Sequence, residues 1–358
     1  MKNVLITGGA GFIGFNLTKR LIDSGYDVTI LDNLSKKIHS SNIKYTKLKD
    51  ITHFIIGDVC NRADWEKAIC NQDVIIHLAA ETGTGQSMYD IHNYTNVNVG
   101  ATAMMLDVLT NSKNSVKKII LSSSRAVYGE GMYKCKDQGV IYPSFRNDKD
   151  LQDGKYDFIS KNSTSKLIPI ATKENSHILP TSIYALTKYN QEQILLLAAK
   201  NLNIDVAILR YQNVFGPGQS LSNPYTGILS IFSTRILNGN DIEIYEDGMQ
   251  TRDFVYIEDV VNATVLALKK SNLKSQVYNV GSGKPITVLK VAQKLKELYK
   301  TKTSITISNK YRKGDIRHNF ADLSLIKQEL GFVNAFSFDR GLLNFVKWVQ
   351  KQDIQDDK

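Results

Sequence analysis

Short apolar runs recur along this chain, and the segments between them repeat their apolar positions with the spacing of a helix. Strands are predicted near Val4, Thr29, Ile55, Ile75, Ile120 and Ala207, with helical segments between them, most clearly over 12–21, 93–109 and 183–202. Strands that are apolar throughout must be covered on both faces, so their alternation with helices predicts an α/β protein built on a doubly wound parallel sheet. One stretch breaks the rhythm. Over 130–180 the chain is polar, aromatic in places and weakly periodic; so long a connection is a lid, an elaborated subdomain, a binding surface or a disordered insertion.

The first strand runs straight into TGGAGFIG, residues 7–14. Gly9, Gly11 and Gly14 make GxGxxG, while Gly8, Gly11 and Gly14 make GxxGxxG. Glycines suit a tight strand-to-helix turn with positive φ, and a missing Cβ lets backbone approach a pyrophosphate. The helix that follows offers unpaired N–H groups to that anion. A second strand, 27–31, leads into Asp32, roughly 20 residues beyond the glycines as a dinucleotide fingerprint requires. A carboxylate there accepts hydrogen bonds from the ribose hydroxyls of NAD and repels the 2′-phosphate of NADP, so NAD is the expected cofactor. Lys36 and Lys37 nearby work against that choice. Asp58, at the exit of the third strand, is placed to reach the adenine.

A second constellation flanks the irregular stretch. Residues 119–124 read as a strand ending in three serines, followed by Arg125, Ala126, Val127, Tyr128 and Gly129; beyond the insertion come Tyr184 and Lys188. Four residues apart, Tyr184 and Lys188 share one helical face. An ammonium beside the phenol lowers its pKa from about 10, and a positively charged nicotinamide lowers it further, which would make a base next to a hydride acceptor.

Length and composition agree with such an enzyme. The 358 residues are enough for one large or two modest domains. No apolar run approaches the ~20 residues of a membrane span, and the N-terminus enters a strand without a signal-peptide core, so a cytoplasmic location without a membrane partner is expected. The formal charge of +10 is scattered, not gathered into an aromatic-rich basic stripe, and argues against nucleic acid while favouring attraction of a small anion. Cys60, Cys70 and Cys135 lack CxxC spacing and indicate neither a disulfide framework nor a metal site.

These motifs, in their order, resemble the extended short-chain dehydrogenase/reductases of the NAD-dependent nucleotide-sugar epimerase/dehydratase family. The resemblance also rests on HLAA (77–80), Asn98, SSSRAVYG, LRYQNVFGP (209–217), RDFVYIEDV (252–260) and YRKGDIR (311–317). It implies a Rossmann domain over 1–213, including the 130–180 insertion, with 253–270 crossing back to it. A smaller C-terminal α/β substrate domain takes 214–252 and 271–358. By the same resemblance the cofactor site comprises Gly8, Gly11, Phe12, Ile13, Gly14, Asp32, Asn33, Asp58, Val59, Leu78, Ala79, Ala80, Asn98, Ser122, Tyr184 and Lys188. Ser124, Tyr184 and Lys188 become the catalytic set. Ser124, Arg125, Asn213, Arg252, Arg312 and Asp315 become the nucleotide-sugar contacts, with Asp315 holding a ribose. A homodimer through the helices near 93 and 183 is implied as well.

Within that family, dehydratases and decarboxylases place acidic side chains after the catalytic serine or threonine, where this chain has Arg125 and Ala126. Oxidation followed by reduction at one carbon is therefore expected, and elimination is not. The insertion and the string GPGQSLSNPYTGILSIF (216–232) resemble the dTDP-L-rhamnose 4-epimerase branch. That branch carries several cysteines in the insertion, whereas this chain has Cys135 alone. A UDP-hexose 4-epimerase and a net nucleotide-sugar reductase or dehydrogenase are the alternatives.

Overall fold

The structure is a computed structural model that describes residues 1–36, 43–160, 165–221, 227–273, 275–312 and 314–352. Lys37, Lys313 and residues 222–226 of the GPGQSLSNPYTGILSIF string therefore lie outside the described residues.

Seven parallel strands make the main sheet, in the order Gln276–Val280, Asp205–Tyr211, Lys118–Ser124, Val74–His77, Asn3–Thr7, Asp27–Asp32, His53–Ile56. Residue alternation along the first strand divides the core in two. Val4 and Ile6 join Leu17, Leu21, Val260 and Val261 on one face. Leu5, on the other, joins Trp65, Met105, Leu195 and Ala199. Helices thus cover both faces, Phe12–Asp23 and Ile257–Lys269 on the first, Arg62–Ala68, Ala101–Asn111 and Ile183–Leu202 on the second. The chain leaves the sheet centre toward one edge and then returns to add Val74–His77 on the other side of Asn3–Thr7. This reversal opens a crevice at the carboxyl ends of the strands, the place where such sheets bind ligands.

A smaller unit pairs Asn213–Phe215 with Thr251–Tyr256, which in turn pairs Pro285–Thr287 and His318–Asn319. Phe215, Phe254, Tyr256, Phe338 and Phe345 stack edge-on or tilted in its centre. The return crossing differs from the sequence expectation at both ends. Asp253 sits in this small sheet, while the crossing continues past 270 so that Gln276–Val280 becomes an edge strand of the main sheet. That strand is five residues long and half polar, which hid it among the loops.

The 130–180 stretch is an ordered subdomain in its described residues. Gly139–Ile141, Met132–Cys135 and Ile168–Ile170 form an antiparallel sheet, and Tyr133, Cys135 and Leu167 make its small core. Charges dock it. Arg317, 2% exposed, reaches Asp157 of the insertion (2.9 Å) and Asp247 and Glu246 of the small domain (2.6 and 3.2 Å). Arg146 of the insertion pairs with Glu246 at 2.8 Å, and Glu130 accepts the Arg317 backbone N–H. Of the alternatives open for this stretch the elaborated subdomain is the one seen, and its polar composition supplies an ionic seam.

The helix expected over 93–109 is also interrupted. Ile91–Tyr94 is followed by a π-helical turn, Thr95–Gly100, before Ala101–Asn111 resumes. Such turns are rare and concentrate at functional sites; this one presents Asn98.

Candidate active site

Strand Asn3–Thr7 ends at the crevice and hands over to the glycine turn. Gly8, at φ +70°, packs so closely that a Cβ there would lie 2.8 Å from the backbone nitrogen of Ala79. At Gly14 a Cβ would lie 2.3 Å from the carbonyl of Gly8. Thr7 fixes the same junction, its Oγ1 accepting from the Ala79 N–H (3.2 Å) and meeting His77 Nδ1 at 2.7 Å. Burial holds His77 down to about 3, so it is a neutral hydrogen-bonding strut at physiological pH. Helix Phe12–Asp23 starts at Gly11 with no side-chain cap, leaving its first N–H groups open to an anion. Gly14→Ala should push apart backbone that cannot yield, at a cost of about 1–3 kcal/mol. An NAD titration of that variant is expected to give an affinity at least roughly tenfold weaker.

Asp32 is buried at its strand end, where Oδ2 accepts from the Ala10 N–H (3.0 Å) and Oδ1 from the Leu34 N–H (2.9 Å). Asn33 donates to Asp58 at 3.0 Å. Although Asp58 is partly desolvated, that bond and the Cys60 N–H hold it below the usual carboxylate range. The glycines, both acids and the serine strand line one groove of about 430 Å³. Gly8, Gly11, Phe12, Ile13, Gly14, Asp32, Asn33, Asp58, Val59, Leu78, Ala79, Ala80, Ser122, Ser124, Tyr184 and Lys188 all face it.

Asn98 does not line the groove. Its amide is consumed behind the wall, Oδ1 accepting from the Glu81 N–H (2.9 Å) and Nδ2 donating to the Glu81 carbonyl (3.1 Å) and Thr187 Oγ1 (3.0 Å). It ties the loop after Val74–His77 to helix Ile183–Leu202, where the sequence reading expects a cofactor contact.

Tyr184 opens that helix behind the Ser182 cap, with its hydroxyl beside that of Ser124. Burial raises the phenol, while the Ser124 hydroxyl and the positive charge of Arg125 lower it. Helical spacing alone assigns the lowering to Lys188, with the nicotinamide adding to it; Arg125 is the cation that acts here. Lys188 donates to the Ser122 carbonyl at 2.9 Å, and burial brings its ammonium down to about 7 against the pull of Glu192. Glu192, one turn further on, is fully buried; Ser123 donates to it, and Arg210 grips it through Nε (2.9 Å) and Nη2 (2.6 Å). Arg210 also donates to Tyr128 Oη at 2.8 Å, binding the serine strand, the turn after it and the helix into one network. Neither Glu192 nor Arg210 belongs to the motifs read from the sequence, though Glu192 stands four residues after Lys188.

The expected nucleotide-sugar contacts divide. Arg252 and Asp315 meet at 2.9 Å, and Arg252 also donates to the carbonyls of Ile316 and Arg317. The Asp315 carboxylate is thus an ion-pair partner. Arg125 lies within the fields of Arg252, Asp315 and Tyr184, and burial brings it down to about 10. Asn213 Oδ1 is buried without a partner. Arg312 stacks on Tyr245 (4.9 Å) in a second, open cleft with Ser308 and Lys310. None of Arg125, Asn213, Arg252, Arg312 and Asp315 lines the cofactor groove itself.

Residues missed from sequence complete the groove. Gln212 and Gln219 line it, both nearly buried; among the described residues Gln212 Nε2 and Oε1 and Gln219 Oε1 have no partner. A glycine cradle at a helix start and idle buried amides fit a polar dinucleotide.

Residues 4–150 and 154–281 match the NAD dependent epimerase/dehydratase family. The chain belongs to that family. It is 35% identical to the dTDP-L-rhamnose 4-epimerase of Burkholderia thailandensis, over 98% of this chain and 96% of that one. The UDP-N-acetylglucosamine 4-epimerase of Methanobrevibacter ruminantium M1, solved with UDP-N-acetylmuramic acid, is 31% identical. It superposes with a TM-score of 0.80 over 98% of this chain and 99% of its own. The UDP-glucuronic acid 4-epimerase of Bacillus cereus, solved with UDP-glucuronic acid and NAD, is 26% identical with a TM-score of 0.81 over the same shares. As a member of the NAD-dependent epimerase/dehydratase family the protein is an NAD-dependent nucleotide-sugar epimerase. Among the described residues no acidic, cysteine or histidine cluster suits a metal, and no helix is long and apolar enough to cross a membrane.

Proposed function

We propose that the protein inverts C4 of a dTDP-6-deoxyhexose such as dTDP-L-rhamnose. One observation carries the choice of simple inversion: beside the Ser124–Tyr184 pair the chain places the Arg125 guanidinium and a methyl group, Ala126, where elimination would need a carboxylic acid. The sugar itself is argued from the likeness to the B. thailandensis protein and from the enlarged insertion.

In this reading Gly8, Gly11, Gly14 and Asp32 hold NAD, which when bound supplies the redox chemistry by taking hydride from C4 and giving it back. Tyr184 takes the proton of the sugar 4-hydroxyl and returns it after inversion. Ser124 hydrogen-bonds the same oxygen and relays the proton. Arg125 holds a positive charge near the phenol, favouring its ionised form. Lys188 holds the nicotinamide ribose. Arg252, with Asp315, Asn213 and Arg312, keeps the nucleotide anchored while the 4-keto sugar turns, arginine being suited to bidentate diphosphate contact. A second copy would pack on the helices near 93 and 183, which carry Ile91, Leu186 and Leu197 exposed, with Met88 and Tyr89 exposed in the turn just before the first of them.

A UDP-hexose substrate is the second reading, favoured by the UDP-sugars bound in the structural relatives. Incubation with dTDP-L-rhamnose, UDP-glucose and UDP-N-acetylglucosamine, followed by NMR, separates the two. The expected result is a C4-inverted product from dTDP-L-rhamnose; inversion of the UDP-sugars alone would overturn that substrate.

A further inference from the structure

We propose that Lys44 is a clasp that keeps NAD resident by fastening loop 216–221 of the small domain over the cofactor groove. The inference rests on the groove being the NAD site and not on which sugar is turned over. Lys44 belongs to none of the motifs. It sits near the start of helix Ile43–Leu48, on the adenosine side of the Rossmann unit, and its Nζ donates to the carbonyl of Gly218 at 2.9 Å. A second tether acts on the same loop, Asn16 Nδ2 donating to the Pro217 carbonyl at 3.3 Å. Gly218 has φ +92°, a backbone state that disfavours any side chain.

The fastened loop carries Gln219 and Ser220 into the groove, facing the glycine turn and Asp32. Gln219 is 8% exposed, and among the described residues its Oε1 has no partner. Both amide atoms of Gln212, which also lines the groove at 4% exposure, are equally idle among them. Nearly buried amides without partners are costly unless a ligand satisfies them, so the loop is shaped to close on something polar. Lys44 is largely buried and lies in the field of Asp32, so the fastening stands beside the carboxylate expected to hold the adenosine ribose. The groove is therefore walled by both domains. A dinucleotide leaves only when the loop lifts, and lifting breaks a charge-assisted bond in a place water reaches poorly. The clasp slows dissociation, the step through which affinity differences are mostly expressed.

The test compares purified wild type, K44M, K44R and N16A, with NAD release followed by chase with excess labelled NAD and folding followed by thermal melting. K44M is expected to release NAD roughly tenfold faster or more, and its turnover should become dependent on added NAD. K44R, which keeps a donor of similar reach, should stay near wild type, and N16A should give a smaller acceleration. Release from folded K44M at the wild-type rate would overturn the proposal. Should K44M fail to fold, unchanged release from N16A would overturn it equally. A wild-type protein that binds no NAD at all would overturn the reading of the groove, and is distinguished by its ultraviolet spectrum.

Discussion

Tyr184→Phe is expected to lower turnover by roughly 100- to 10,000-fold, the usual contribution of a positioned acid or base, while binding of the nucleotide sugar by calorimetry stays close to wild type. The substitution removes one oxygen and little else. The ring keeps its edge contact with Tyr94 at 6.5 Å, and Ser124 retains its bond from the Ala126 N–H. The pH dependence gives a second readout. Burial raises the phenol, and Ser124 and Arg125 oppose it; with the phenolate as the proposed base, kcat/KM is expected to rise with pH through the tyrosine's own titration. Arg125→Gln removes one opposing charge and should move that limb to higher pH. Residual activity of Tyr184→Phe should lack the limb, and a variant with near wild-type turnover would remove Tyr184 from the chemistry.

Arg317→Leu is expected to cost about 3–5 kcal/mol of stability, the range for removing one partner of a buried ionic group. The guanidinium is 2% exposed and meets Asp157, Glu246 and Asp247, so the leucine would leave carboxylates from two parts of the chain facing one another. Urea unfolding followed by circular dichroism measures the loss, and protease cleavage within 130–180 should appear first. A change below about 1 kcal/mol, the scale of a surface pair, would mean that the seam does not hold the insertion.

What was legible in the sequence was local. The glycine turn, Asp32 and the Tyr184–Lys188 pair are set by a few adjacent residues whose chemistry has few other uses, and they converge on one groove. The partners of those residues come from far along the chain. Glu192 is gripped by Arg210, Lys44 by a loop 174 residues away, and Asn98 is turned onto Glu81 by a π-helical turn that no apolar spacing announces. The insertion was open between a lid, a subdomain, a binding surface and disorder for a related reason. The partners of its charges, Arg317 and Glu246, lie in another part of the chain, so no local window contains both halves of a pair.

In the proposed cycle a proton at O4 and a hydride at C4 leave and return within one site. The deciding experiment uses dTDP-L-rhamnose deuterated at C4, or the UDP-sugar that proves active, turned over without added cofactor and analysed by NMR and absorbance at 340 nm. Retention of the deuterium at the inverted carbon, with no net NADH, is the predicted result. Deuterium lost to solvent, or NADH accumulating with product, would contradict it.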